Sequence, residues 1–131
     1  MNDWKVLLVD DERDFALTLA ERLGMRGIKV NTAFSGQEAL DLLETYQPDV
    51  MVLDLMMPGM SGSTVLRKVR GLYPNIEVIL LTGLSSTAEG ASGVSQGAFD
   101  FLTKPLQIEN LIEKIGLAVR KRSADEAGQE K

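Results

Sequence analysis

The stretch Pro48-Asp49-Val50-Met51-Val52-Leu53-Asp54-Leu55 decides the fold. Residues 50–53 are apolar without interruption, so they lack the alternation of a strand with one wet face. Such a run suits a strand covered on both faces, as in a parallel sheet. Pro48 stops the helical pattern before it, Asp54 closes the run with a charge, and Pro58-Gly59 turns the chain. Working outward, residues 4–9, 28–33, 76–81 and 98–103 read as four further strands. Helical spacing fills the gaps: Phe15, Leu19 and Leu23 within 11–25, and Val65, Leu66 and Val69 within 64–71. Ile108, Leu111, Ile112, Ile115 and Val119 form the stripe of a helix over 107–122. Ser35-Gly36-Gln37-Glu38 has capping-box spacing ahead of Ala39, Leu40 and Leu43. Strand and helix alternate five times. Parallel strands need crossover helices, which gives an α/β fold: a five-stranded parallel sheet with helices on both faces.

Two segments read less simply. Over 85–97, Ser86 and Glu89 have capping-box spacing, but Gly90, Gly93 and Gly97 each cost about 1 kcal/mol relative to alanine inside a helix. A helix there is expected to be short or mobile. Residues 123–131 are polar and read as a disordered tail or the start of a linker, leaving one domain over 1–122.

Composition narrows the chemistry. The 131 residues include no cysteine and no histidine. This excludes disulfides, thiolate zinc sites, cysteine nucleophiles, histidine bases and phosphohistidine within the chain. A formal charge of −5 argues against direct nucleic-acid binding. No apolar run is long enough for a membrane span, and the first residues lack signal-peptide character. The expectation is a soluble, cytoplasmic chain.

The remaining polar candidates fall just past the apolar strands. Asp10 and Asp11 follow the first, Asp54 ends the third, Thr82 follows the fourth and Lys104 the fifth. In a parallel sheet all five share one edge, where such folds gather their functional groups. Taken singly, each has an ordinary reading as loop, cap or surface residue; their joint occurrence at four strand ends is what points to a site. Three crowded carboxylates need compensation. A divalent cation and one lysine balance them, and an all-oxygen ligand set favours Mg²⁺. A lysine and a hydroxyl beside such a site suit phosphoryl transfer, with Asp54 as a carboxylate nucleophile.

The stretches Val6-Leu7-Leu8-Val9-Asp10-Asp11-Glu12, residues 48–62, Ile79-Leu80-Leu81-Thr82-Gly83 and residues 97–105 together resemble the response-regulator receiver family of two-component signalling. The resemblance spans about residues 4–122 and implies the flavodoxin-like strand order 2-1-3-4-5. It implies a switch and not a conventional enzyme, one that catalyses only its own phosphorylation and dephosphorylation. Asp54 would be the phosphoacceptor, with a histidine kinase or phosphotransfer protein as donor. Asp11, Asp54 and the carbonyl of Met56 would ligate Mg²⁺, and Asp10 would act through water. Lys104 would pair with the phosphoryl oxygens, Thr82 would move to bond them, and Phe101 would turn inward. Lys104-Pro105 matches the family's cis peptide. The face formed by the fourth helix, fifth strand and fifth helix would then regulate an unidentified partner or output domain. A homodimer formed on phosphorylation is compatible with this scheme. Phe101 stands where many relatives have tyrosine, so coupling there rests on packing alone. Met56 and Leu84, both apolar, fall where side chains influence loss of the phosphoryl group. Two rivals stay open: an aspartate-nucleophile phosphohydrolase, which would want an acid where Met56 stands, and an interaction module on the same fold that ignores phosphorylation.

Overall fold

The computed structural model describes residues 3–129, and side chains through Asp125. Five parallel strands form one sheet in the order β2-β1-β3-β4-β5. These are β1 (Lys5–Val9), β2 (Lys29–Ala33), β3 (Val50–Asp54), β4 (Glu77–Thr82) and β5 (Asp100–Thr103). The helices are α1 (Arg13–Gly24), α2 (Gly36–Leu43), α3 (Gly62–Leu72), α4 (Thr87–Ser95) and α5 (Ile108–Gln129), with a 3₁₀ turn at Leu84–Ser86.

Side-chain alternation splits the sheet between two cores. Val6, Leu8, Val50, Val52, Ile79 and Leu81 face α1 and α5. Leu7, Val9, Met51, Leu53, Val78 and Leu80 face the opposite way, against α2 and α3. The inner strands β1, β3 and β4 therefore carry unbroken apolar runs, Val6–Val9, 50–53 and 78–81, since both their faces are dry. β3 and β4 are buried along their whole length, whereas the edge strands β2 and β5 are partly open.

The Ser35 hydroxyl accepts from the Glu38 amide at 3.1 Å, as the capping-box spacing predicts. Ser61 caps α3 in the same way, accepting from Thr64 N. Ser86 does not: it stands at the start of α4 with no side-chain capping bond. The helix over this segment nevertheless forms, because its glycines are contact residues. A Cβ on Gly90 would lie 2.6 Å from Phe101 Cδ2, and one on Gly93 would overlap Leu80. Gly97 holds a φ of +113°, which closes the turn into β5.

Residues 123–129, expected as a disordered tail or the start of a linker, are helical. α5 continues to Gln129; the last two residues of that expected tail lie outside the described residues. Lys121 bridges Glu77 and Asp125, and Arg122 Nη1 lies 3.1 Å from Asp49 Oδ1. These pairs pin the helix to the amino end of the sheet and supply an i,i+4 contact beyond it.

Two glycines of α3 should respond oppositely to alanine. At Gly62 a Cβ would sit 2.6 Å from Leu55 Cα and 2.8 Å from the Asp54 carbonyl, backbone that cannot yield. At Gly71 nothing lies within 4 Å, and φ is not positive. Gly62→Ala is expected to lower unfolding free energy by about 1–3 kcal/mol. Gly71→Ala should raise it by about 0.4–1 kcal/mol. Urea denaturation of both variants checks the contrast, and equal shifts would contradict it.

Candidate functional site

The chain runs from β1 outward to β2, then returns past β1 to β3. A crevice opens beyond the carboxyl ends of β1 and β3, where the direction of winding changes. Asp10 leaves β1 at this point, and Asp54 ends β3. Both are buried, at 0% and 4% exposure. Buried carboxylates need partners, and each has several. Asp10 Oδ1 accepts from the Glu12 amide at 3.0 Å, and Asp54 Oδ1 accepts from the Met56 amide at 2.9 Å.

Lys104 supplies the charge. Its own amide donates to the Thr82 carbonyl at 2.7 Å, continuing the β4–β5 ladder past the end of β5. Its side chain crosses the site, where Nζ lies 2.8 Å from Asp10 Oδ2, 3.1 Å from Glu12 Oε1 and 3.5 Å from Asp54 Oδ2. The ammonium also sits 4.4 Å from the centre of the Phe15 ring. The Lys104–Pro105 peptide is cis.

Thr82 ends β4, fully buried, and its Oγ1 has no hydrogen-bond partner among the described residues. A hydroxyl held this way is a donor waiting for an acceptor. Phe101 is half-buried and lies against Gly90 of α4. Met56 and Leu84 are exposed at 60% and 71%, giving the rim apolar side chains. The loop carrying Met56 folds back because Gly59 takes a φ of +76° and Gly62 packs directly on β3.

Of the residues expected from the sequence, Asp10, Asp54 and Lys104 meet directly, with Thr82 at the neighbouring strand end. Asp11 is exposed and lies outside the carboxylate group. The third carboxylate beside Asp10 and Asp54 in this structure is that of Glu12: oxygens of the three lie within 4.8 Å of one another. Glu12 stood in the matched acidic run without a role, because a run of three acids does not reveal which will turn inward. Three carboxylates against one ammonium leave two negative charges in excess. The donor set is all oxygen, so the site fits a hard divalent cation such as Mg²⁺.

Burial is the main cause that raises the pKa of Asp54, opposed by the Met56 amide, with Asp10 raising it further and Lys104 lowering it. For Lys104, burial works to lower the pKa, but the bond to Asp10 and the charges of Asp54 and Asp10 outweigh it, so the ammonium is strengthened. The cavity lined by Asp14, Phe15, Leu19, Arg22, Leu106 and Ile108, of about 330 Å³, lies beside α1 and not at this crevice. Among the described residues no helix is long and apolar enough to cross a membrane.

Comparison with known proteins agrees with this geometry. Residues 6–116 match the response regulator receiver domain. The response regulator MprA of Mycobacterium tuberculosis (strain ATCC 25618 / H37Rv) is 34% identical over 125 residues, which are 95% of this chain and 54% of that protein. The chain thus spans about half the length of the curated relatives it matches. A receiver domain protein from Clostridium thermocellum superposes with a TM-score of 0.88 at 31% identity, covering 92% of this chain and 98% of that one. NtrX from Brucella abortus gives a TM-score of 0.91 at 25% identity over 98% of this chain but only 29% of its own. The chain therefore belongs to the response regulator receiver domain family of two-component signalling, a signalling domain and not a conventional enzyme.

Proposed function

We propose that this chain is a phosphorylation switch in which Asp54 accepts a phosphoryl group from a histidine kinase or phosphotransfer protein, with Mg²⁺ as the required cation. The observation that carries this reading is Lys104 reaching Asp10, Glu12 and Asp54 at one crevice, with charge to spare for a divalent ion. Asp10, Asp11, Asp54 and the Met56 carbonyl are the residues we assign to holding Mg²⁺, with Glu12 close by. Bound there, Mg²⁺ would supply charge neutralisation for the phosphoryl oxygens.

The chain's own groups divide the remaining work. Asp54 Oδ1 is held by the Met56 amide, which leaves Oδ2 as the atom to attack phosphorus. An Oδ2–P bond forms as the donor's bond to phosphorus breaks, giving an acyl phosphate. Lys104, 3.5 Å from Oδ2, is positioned to pair with the transferred group. Thr82 Oγ1 has a free donor to offer a phosphoryl oxygen. Movement of Thr82 gives Phe101 room to turn inward, and the glycine contact at Gly90 passes that turn to α4. The surface of α4, β5 and α5 then changes for an output partner, within this protein or outside it. Inverting a 1:99 population needs about 5.5 kcal/mol, within reach of two or three charge-assisted bonds at roughly 1.5–3 kcal/mol each. We assign the switch to residues 1–122 and the last turns of α5 to the lead into a linker.

Asp54→Asn is expected to abolish labelling by a small phosphodonor such as acetyl phosphate with Mg²⁺; stoichiometric labelling of the variant would refute the assignment. The same variant should be more stable than the unaltered protein at neutral pH in the absence of metal. The raised pKa of Asp54 means its stabilising proton is present below the ordinary carboxylate range and lost as pH rises through the folded value. Its ionised form therefore costs stability at neutral pH, and the advantage of asparagine should shrink on acidification. Urea midpoints at neutral and acidic pH measure this. Apolar Met56 and Leu84 at the rim restrict the approach of water, which implies slow loss of the phosphoryl group. Met56→Glu or Leu84→Glu should change the decay rate of phosphorylated protein by several-fold, and unchanged decay in both would remove that explanation.

A further inference from the structure

We propose that Glu12 is a positioning residue: it takes over Lys104 when a divalent cation claims Asp10 and Asp54, and so sets cation affinity through the lysine. The inference rests on the reading of the site as a Mg²⁺-dependent phosphoryl acceptor. The lysine is the resident cation of the crevice, donating to Asp10 and Glu12 and pairing with Asp54 at 3.5 Å. A second cation drawn to the two buried carboxylates repels it. Of its three anionic partners only Glu12 is exposed, with its side chain 65% accessible, so only Glu12 can keep the ammonium without holding it in the buried cleft.

The local structure at Glu12 supports this role over an ordinary helix-capping one. Glu12 occupies the N-cap of α1 but makes no side-chain capping bond. Residues suited to capping have shorter side chains. Its amide is instead tied to Asp10 Oδ1, which fixes the backbone to the site. From that anchor its carboxylate reaches an ammonium 92 residues away in sequence. Phe15 lies in the first turn of α1, and its ring supports the same ammonium at 4.4 Å. The first turn of α1 thus grips Lys104 between a carboxylate and an aromatic ring. Neither contact touches Asp54, so both can persist while the buried carboxylates change partner.

The test is a double-mutant cycle read by calorimetric titration with Mg²⁺ alone, on the unaltered protein, Glu12→Gln, Lys104→Met and the double variant. Glu12→Gln should weaken Mg²⁺ binding by about two- to five-fold, the size of an exposed ion pair. Lys104→Met should tighten binding, because the competing charge is gone. Glu12→Gln added to Lys104→Met should then have no further effect. An equal weakening in both backgrounds would mean that Glu12 acts directly on the cation, and would overturn the proposal. So would unchanged affinity of the single Glu12→Gln variant. Failure of the unaltered protein to bind Mg²⁺ at all would instead remove the functional reading itself, and this inference with it. A second readout is the nitrogen resonance of the Lys104 ammonium in the Mg²⁺-saturated protein. Glu12→Gln should shift it, and an unshifted signal would show that the pair does not survive cation binding.

Discussion

A strand that is buried on both faces and ends in a carboxylate sets the terms for the whole molecule. β3 is buried from Val50 to Asp54, with apolar layers on either side. A charge at the end of such a strand cannot stay ionised without hydrogen bonds and a nearby cation. The Met56 amide supplies one bond, and that requires the following loop to fold back over the strand end, which only a glycine at position 62 allows. Lys104 supplies the cation, and its approach depends on β5 lying beside β4 in register, with the Lys104 amide bonded to the Thr82 carbonyl. The order of the strands, the loop after β3 and the end of β5 are thus tied to a single carboxylate.

The two ends of the sheet treat charge differently. At the amino end, Asp49 meets Arg122, and Glu77 meets Lys121. Asp49 also accepts from the Lys5 amide at 2.9 Å, so it joins two strands to α5. Each strand-start carboxylate there has a cation of its own, and the arrangement serves to hold α5 in place. At the carboxyl end, three carboxylates share one lysine. An ion-pair network built only for stability has no reason to crowd anions that repel. The excess is what the proposed cation, and then the phosphoryl group, would use.

Most of the fold was readable because buried parallel strands write themselves as unbroken apolar runs, and because helix stripes and the Ser35 cap have fixed spacing. The exceptions share a cause: the sequence cannot say what a residue will touch. Glycines 90 and 93 lower helix propensity when counted alone, yet in place they admit Phe101 and Leu80 against α4. Ser86 and Glu89 have the spacing of a cap, but the 3₁₀ turn at Leu84–Ser86 takes the backbone at Ser86 out of the extended form seen at Ser35 and Ser61. The end of the expected helix is tied through Lys121 and Arg122 to Glu77 and Asp49, which lie more than forty residues earlier in the chain.

The site itself was readable as far as strand ends go, since each strand end puts its next polar residue on the same rim. What strand ends cannot resolve is the passage from strand to helix. Between Val9 and Arg13 the side-chain direction changes from a repeat of two to a repeat of 3.6. Three acids fall in that interval, and periodicity assigns none of them a direction. Packing decides the matter. Asp10 remains buried with the strand, Asp11 turns to solvent, and Glu12 begins the helix with its backbone tied to Asp10. Its position at the helix start gives Glu12 both an exposed side chain and a fixed origin. Under the role proposed for it, a carboxylate of that kind holds a lysine that moves on cation binding, where a buried one would trap it. The division between fixed buried acids and one accessible acid is therefore a product of where α1 begins.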